Sequence, residues 1–167
     1  MGLFGFNKKK EYLLEWQKIV LTNSPDKLIM TERQLKQTSE QQATNDLRII
    51  QDCIKIISNT VKPDIFFSRM DLLKEKAIHL QTLEPYVNFS GASPTAAVNE
   101  IFDQEQDAIY ELIGRCYNTA FEKAEKLKTE KGKKNQYQKF YDSLQPYADK
   151  MNNHNINYLK YKIRDRL

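Results

Sequence analysis

Residues 46–61, DLRIIQDCIKIISNTV, constrain the fold more than any other stretch of the chain. Wound at about 100° per residue, they place Leu47, Ile50, Ile54, Ile57 and Val61 on one side, with Ile49, Cys53 and Ile56 on the flank beside it. Arg48, Gln51, Asp52, Lys55, Ser58 and Asn59 occupy the remaining arc. An apolar face of roughly half the cylinder is wider than one neighbour covers. The pattern therefore predicts a central helix packed against two others.

The flanking sequence supplies both. Proline disfavours helical geometry at the residue before it, so Lys62-Pro63 ends this helix, and Pro63 can open the next. Phe66, Met70, Leu73, Ala77 and Leu80 form its main stripe, widened by Ile65, Leu72 and Leu83 on one side and by Phe67 and Ile78 on the other. Pro85 stops it, residues 86–94 form a loop, and Ser93-Pro94 pairs a cap with a first-turn proline. The longest pattern follows, with Val98, Ile101, Phe102, Ala108, Ile109, Leu112, Ile113, Cys116, Ala120, Ala124 and Leu127 along one seam. Tyr110, Tyr117 and Phe121 lie to one side of that seam, where they can hold a third layer, and Gly114 falls on the polar side.

Around Gly132 the chain is expected to turn into a segment carrying Tyr137, Phe140, Tyr141 and Leu144, ended by Pro146. A last element near residues 155–166 carries Ile156, Leu159 and Ile163. Leu83-Glu84-Pro85-Tyr86 and Leu144-Gln145-Pro146-Tyr147 stop two helices in the same way. Upstream, Asn7 can cap a helix to about Leu21 bearing Tyr12, Leu13, Trp16, Ile19 and Val20. Thr31-Glu32-Arg33-Gln34 has the form of a capping box and starts another helix. Between residues 36 and 45 only Ala43 is apolar, so this part reads as a solvated approach to the central stretch, continuous with it or broken near Thr44-Asn45.

Only five glycines and five prolines in 167 residues leave few breakers, which suits long helices and argues against a many-stranded sheet. The expected fold is all-α: a single-domain bundle, residues 1–167, of three long core helices near 31–61, 64–84 and 95–128, with additional N- and C-terminal helices. Residues 1–7 are expected to be flexible.

Several functions find no support in the sequence. The longest uncharged run, residues 86–99, contains Asn, Ser, Gly and Pro and is no membrane span, so the chain reads as soluble. MGLFGFNKKK has its apolar residues before its lysines, the reverse of a signal peptide, and Phe6 stands where myristoylation wants Ser or Thr. Glycine at positions 2, 5, 91, 114 and 132 builds no phosphate-cradling loop or dinucleotide fingerprint. His79 and His154 lack any metal-motif context and read as surface residues. Cys53 and Cys116 match no metal spacing. They read as buried free thiols of a reducing cytosol, with a disulfide between packed helices as the alternative.

Three functional classes follow. The first is a non-enzymatic helical interaction or adaptor protein, cytoplasmic, without cofactor, acting on a protein partner or on itself. The second is a nucleic-acid-associated protein using the cluster Lys126, Lys128, Lys131, Lys133, Lys134 and Tyr137, continued by Lys123 and Lys139 and by Lys160, Lys162, Arg164 and Arg166. The plainer reading of that cluster is a solvated helix end, since acidic residues 100–111 open the long helix and lysines close it, as the helix dipole favours. The third class is a metal-dependent hydrolase using Glu100, Asp103, Asp107 and Glu111. All four carboxylates point away from the seam, and no second helix carries a matching set. Glu105 alone falls inside the seam, where a buried carboxylate pairs with an Arg or Lys, Arg69 being one candidate. Leu3, Phe4 and Phe6, followed by three lysines, form a candidate docking segment that folds back on the bundle or meets a partner, with a membrane surface the least favoured.

The runs NDLRIIQDCIKIISNTVKPDIFFSRMDLL and LKTEKGKKNQYQKFY resemble small helical proteins of low-GC Gram-positive bacteria and their mobile elements. The resemblance implies an intracellular bacterial origin and brings no catalytic residue with it.

Overall fold

The computed structural model of the protein describes residues 20–21, 30–91 and 93–167. Among these, the chain forms five α-helices: α1 (Met30–Asn59), α2 (Pro63–Leu83), α3 (Pro94–Glu125), α4 (Glu130–Leu144) and α5 (Asn153–Ile163). A 3₁₀ segment, Gln145–Lys150, joins the last two. Two short strands, β1 (Val20–Leu21) and β2 (Phe89–Ser90), pair antiparallel with Val20 opposite Ser90 and Leu21 opposite Phe89. The architecture is the expected all-α bundle. Val20 and Leu21 correct the expected first helix, because they pair with the α2–α3 connection. The rest of that helix, and Leu3, Phe4 and Phe6, lie outside the described residues.

Local chemistry sets the helix boundaries. Pro63 and Pro94 each stand in a first turn, where a missing N–H leaves no bond unmade. Ser93 Oγ accepts the Ala96 amide at 3.1 Å and Thr129 Oγ1 accepts the Gly132 amide at 3.1 Å, each satisfying a helix-start donor. Gly132 therefore lies inside the first turn of α4, and the chain turns just before it. A Cβ there would stand 2.9 Å from Thr129 Oγ1, so glycine leaves room for the cap.

α1 is one continuous helix of 30 residues, so the possible break near Thr44-Asn45 does not occur. Its half-polar start is more buried than expected, with Ser39, Ala43 and Asp46 all inside. The buried line runs from these through Leu47, Ile50, Cys53 and Ile57, whereas Ile49, Ile54 and Ile56 are half-buried and Val61 is 43% exposed beyond the helix end. The apolar face is thus narrower than the wheel indicates and packs along α2.

α3 reaches α1 at its C-terminal end. Arg115 donates from Nε to the Thr60 carbonyl at 3.1 Å and from Nη2 to the Ile57 carbonyl at 2.8 Å, and Cys116 Sγ donates to the Val61 carbonyl at 3.2 Å. Carbonyls at a helix C-terminus lack intrahelical partners and carry partial negative charge. The last turn of α1 holds no basic residue of its own, so Arg115 supplies that charge from another helix.

The core is continuous across α1, α2 and α3, where Phe66, Leu73, Leu80, Ile101, Ile109, Leu112 and Ile113 are almost wholly buried. Each such side chain contributes roughly 1.5–3 kcal/mol. Phe102, expected in the seam, is 46% exposed under the Lys74 ammonium, 5.3 Å from its ring centre.

Tyr110 and Tyr117, two of the three off-seam aromatics, form the expected third layer, while Phe121 is exposed. Tyr117 packs against Tyr137 and Phe140 of α4 at ring separations of 6.0 and 5.9 Å, while Tyr110 meets Tyr158 of α5 at 4.2 Å. Gln106 of α3 fixes the start of α5. Its Oε1 accepts the Asn152 amide and Asn155 Nδ2, and its main-chain oxygen accepts Asn155 Nδ2 as well, all within 3.0–3.1 Å. The 3₁₀ segment is held to α2 by Tyr147 stacked on Phe67 at 4.3 Å and by Lys150 against both oxygens of Asp71 at 2.6 and 2.9 Å.

Candidate functional site

Among the described residues, polar chemistry meets concave or buried geometry at the Asp46–His79 pair between α1 and α2, at the groove between α4 and α5, and at a smaller depression of about 180 Å³ lined by Gln106, Asp107, Tyr110, Asn152, His154 and Asn155. Asp46 is fully buried, with Oδ2 2.6 Å from His79 Nδ1 and Oδ1 accepting Gln42 Nε2 at 3.2 Å. His79 is 42% exposed, so the reading of it as a surface residue is half right: one edge of the ring meets solvent and the other anchors a buried carboxylate. No described nucleophile is bonded to the imidazole. The pair holds two helices together. His154 lies beside Tyr110, ring centres 5.9 Å apart.

The carboxylates of α3 do not converge. Asp103 and Asp107 are exposed, and Glu111 approaches Arg115 at 3.7 Å. Glu100 Oε1 accepts Gln104 Nε2 at 2.7 Å, while its Oε2 is buried without a hydrogen-bond partner. Among the described residues no group of three His, Cys, Asp or Glu side chains could hold a metal ion. Glu105 is paired with a cation as expected, but with Lys74 of α2 and not with the candidate Arg69. Arg69 instead faces Cys53, whose thiol burial raises in pKa and the guanidinium lowers, with burial the larger effect. Burial pushes the Cys116 thiol up to about 11. Both thiols are buried and free, so the disulfide alternative does not hold.

The expected basic surface divides in two. Lys126, Lys128 and Lys131 are exposed, Lys133 pairs with Glu130 at 3.3 Å, and Lys134 donates to the main-chain oxygen of Leu167 at 2.7 Å. Tyr137, expected as a platform for that surface, is only 3% exposed and packs into the third layer under Arg166, 5.9 Å from its ring centre. Burial of its hydroxyl raises the pKa of Tyr137. A buried ring offers no face for stacking, so the Lys126–Tyr137 set is not a stacking site.

The cations of α5, and Arg164 and Arg166 in the turn that follows it, take two different positions. Lys162, half-buried, lies 4.9 Å from the Tyr117 ring centre and 5.1 Å from that of Tyr158, while Arg166, exposed beyond the helix end, lies over the Tyr137 ring. A hydrogen bond to Tyr158 raises the pKa of Lys162, so its charge belongs to the aromatic layer. Lys160 and Arg164, one turn apart, line an open groove between α4 and α5. That groove has a volume of about 590 Å³ and is walled by Gln138 and Tyr141 on α4 and by Asn157 and Tyr161 on α5, with Ile163 and Leu167 completing its apolar surface. Tyr161 is 63% exposed, with the Arg164 guanidinium 5.8 Å from its ring centre.

This end of the molecule is basic. Residues 122–167 hold 12 of the 26 Lys and Arg but only 6 of the 22 Asp and Glu, a net +6, whereas residues 1–121 carry −2. The total of +4 does not show the contrast, because it sums both parts. Lys160, Tyr161 and Arg164 emerge as site residues only once the fold shows which of the four C-terminal cations line the groove. No helix among the described residues is long and apolar enough to cross a membrane. No protein-family model, curated protein or solved structure matches the chain, so a functional reading rests on this geometry.

Proposed function

We propose that the protein is a non-enzymatic helical interaction protein that binds an anionic partner through the groove between α4 and α5. The observation that carries this reading is the placement of the C-terminal cations: Lys160 and Arg164, the latter also donating to Asp165 at 3.2 Å, stand on the rim of a formed groove, while Lys162 lies over the Tyr117 and Tyr158 rings and Arg166 over that of Tyr137. A basic surface facing open solvent attracts any polyanion weakly, whereas a concave apolar floor with cations at its edge gives a partner both area and orientation. Two buried free thiols fit a reducing, cytoplasmic compartment.

The test is binding of labelled polyglutamate and a dT12 oligonucleotide across a salt series, using the full chain and the charge-reversed variant K160E/R164E. The reading expects at least one polyanion to bind, weakening steeply with salt, and the variant to lose most of that binding. Absence of binding at low salt, or equal binding by the variant, would overturn it.

A further inference from the structure

We infer that the occupant of the α4–α5 groove is an acidic amphipathic peptide segment that inserts one apolar anchor side chain, an inference that rests on the anionic-partner reading above. The groove does not end at its rim. It adjoins a second, more enclosed depression of about 210 Å³, and the two share Tyr141 and Lys160. Leu144, Ala148, Met151, Ile156 and Leu159 line this inner pocket, a surface without charge apart from Lys160 at its mouth. A single site therefore offers cations outside and an apolar hole within.

Those two features select the chemistry of the ligand. Lys160 and Arg164 are separated by one helical turn, a rise of about 6 Å, which matches carboxylates spaced i, i+4 on an incoming helix. The inner pocket is of a size for a leucine or phenylalanine side chain, the form of anchor by which helix-in-groove recognition works. A single strand of nucleic acid fits less well. It needs free ring faces for its bases, and Tyr161 has one face covered by Arg164 while Tyr141 is half-buried. Nor does a sugar–phosphate chain have an apolar group to place in the pocket.

The experiment is selection of a displayed random 16-residue peptide library on the folded full chain, followed by anisotropy binding of the enriched peptides. The expected consensus carries Asp or Glu at i, i+4 next to Leu or Phe. Replacing that anchor by Ser in the peptide should weaken binding about tenfold, and K160E/R164E should weaken it by more than tenfold. Ala148→Phe, which fills the inner pocket, should weaken the peptide about tenfold. The peptide-side substitution keeps the test valid if A148F does not fold. Peptides without an apolar anchor, no loss on anchor replacement, or tighter binding of dT12 than of the best peptide would each overturn the inference. If charge-dependent polyglutamate binding persists in those cases, the anionic-partner reading stands and only the peptide assignment fails. If neither polyanions nor peptides bind, both fall.

Discussion

Asp46 Oδ2 and His79 Nδ1 lie 2.6 Å apart across the α1–α2 interface, joining a fully buried carboxylate to a ring that keeps one edge in solvent. The carboxylate bears the larger desolvation cost, so the two partners are not equivalent. His79→Ala leaves Asp46 with only Gln42 and is expected to cost about 2–3 kcal/mol, near the low end for breaking a buried pair because the imidazole is part-exposed. Asp46→Leu removes the buried charge together with its need for a partner and should cost less. Urea denaturation of both single variants and the double variant measures this, with a coupling near or above 1 kcal/mol expected. Additive single effects would show that the contact carries no energy.

Arg115 supplies from α3 the charge that the end of α1 lacks. Arg115→Ala leaves the Ile57 and Thr60 carbonyls without their cross-helix donor and should destabilise the chain by about 1–3 kcal/mol, in the range of charge-assisted hydrogen bonds. Arg115→Lys, which can reach one carbonyl but not present a fork, should recover only part of this. Hydrogen exchange resolves the locality: amides in the last turn of α1 should exchange faster in Arg115→Ala than those of α4. Uniform acceleration across the chain would contradict a capping role.

How much of this was legible in the sequence follows from how local each interaction is. Pro63, Pro94 and the cap Ser93 act within one turn, and the helices begin where those residues place them. Tyr117 and Tyr110 sit off the seam by their spacing alone, so the third layer could be read from the wheel. Asp46, Arg115 and Asn155 could not. Their partners lie 33, 55–58 and 49 residues away, and a wheel assigns every polar side chain to solvent. The same limit hid the site: Lys160 and Lys162 are equivalent in sequence and differ only because aromatic rings of α3 and α5 stand behind one of them. The pairing of Val20–Leu21 with Phe89–Ser90 is likewise non-local, and the helical spacing of residues 12–20 gives no sign of it.

Cys116 sets an alkaline limit on stability. Burial raises its thiol from an ordinary 9.0 to about 11, so the folded chain holds this proton more tightly than the unfolded chain does. Between those values the unfolded state binds fewer protons, and stability falls as pH rises, by on the order of 2–3 kcal/mol in total. Below pH 9 the contribution is fully present. Burial shifts Cys53 in the same direction and adds to the same window. Guanidinium melts at pH 8, 9, 10 and 11 should show the decline, and Cys116→Ala should make it shallower. In the native state neither thiol should react readily with an aromatic disulfide reagent at pH 8, while both react once the chain is denatured. Fast native labelling would contradict the burial.

Asn155 links the core to the proposed binding groove. It is 1% exposed, its main-chain N–H is capped by Asn152 Oδ1 at 2.8 Å, and its Nδ2 spans the main-chain and side-chain oxygens of Gln106, each at 3.0 Å. Asn155→Leu removes both donations, leaves the Gln106 main-chain oxygen short of its tertiary donor, and forces a branched apolar group against polar atoms. A loss of about 2 kcal/mol is expected. Because α5 is short and docks on α3 through this network and the Tyr110–Tyr158 contact, the loss should concentrate there. Hydrogen exchange should then rise in α5 while α1 and α2 keep their protection. Peptide and polyglutamate binding should weaken together, since Lys160 and Arg164 are positioned by that helix. Intact binding with a fully mobile α5 would show that the cations act as a loose tail, and that the groove contributes no geometry to recognition.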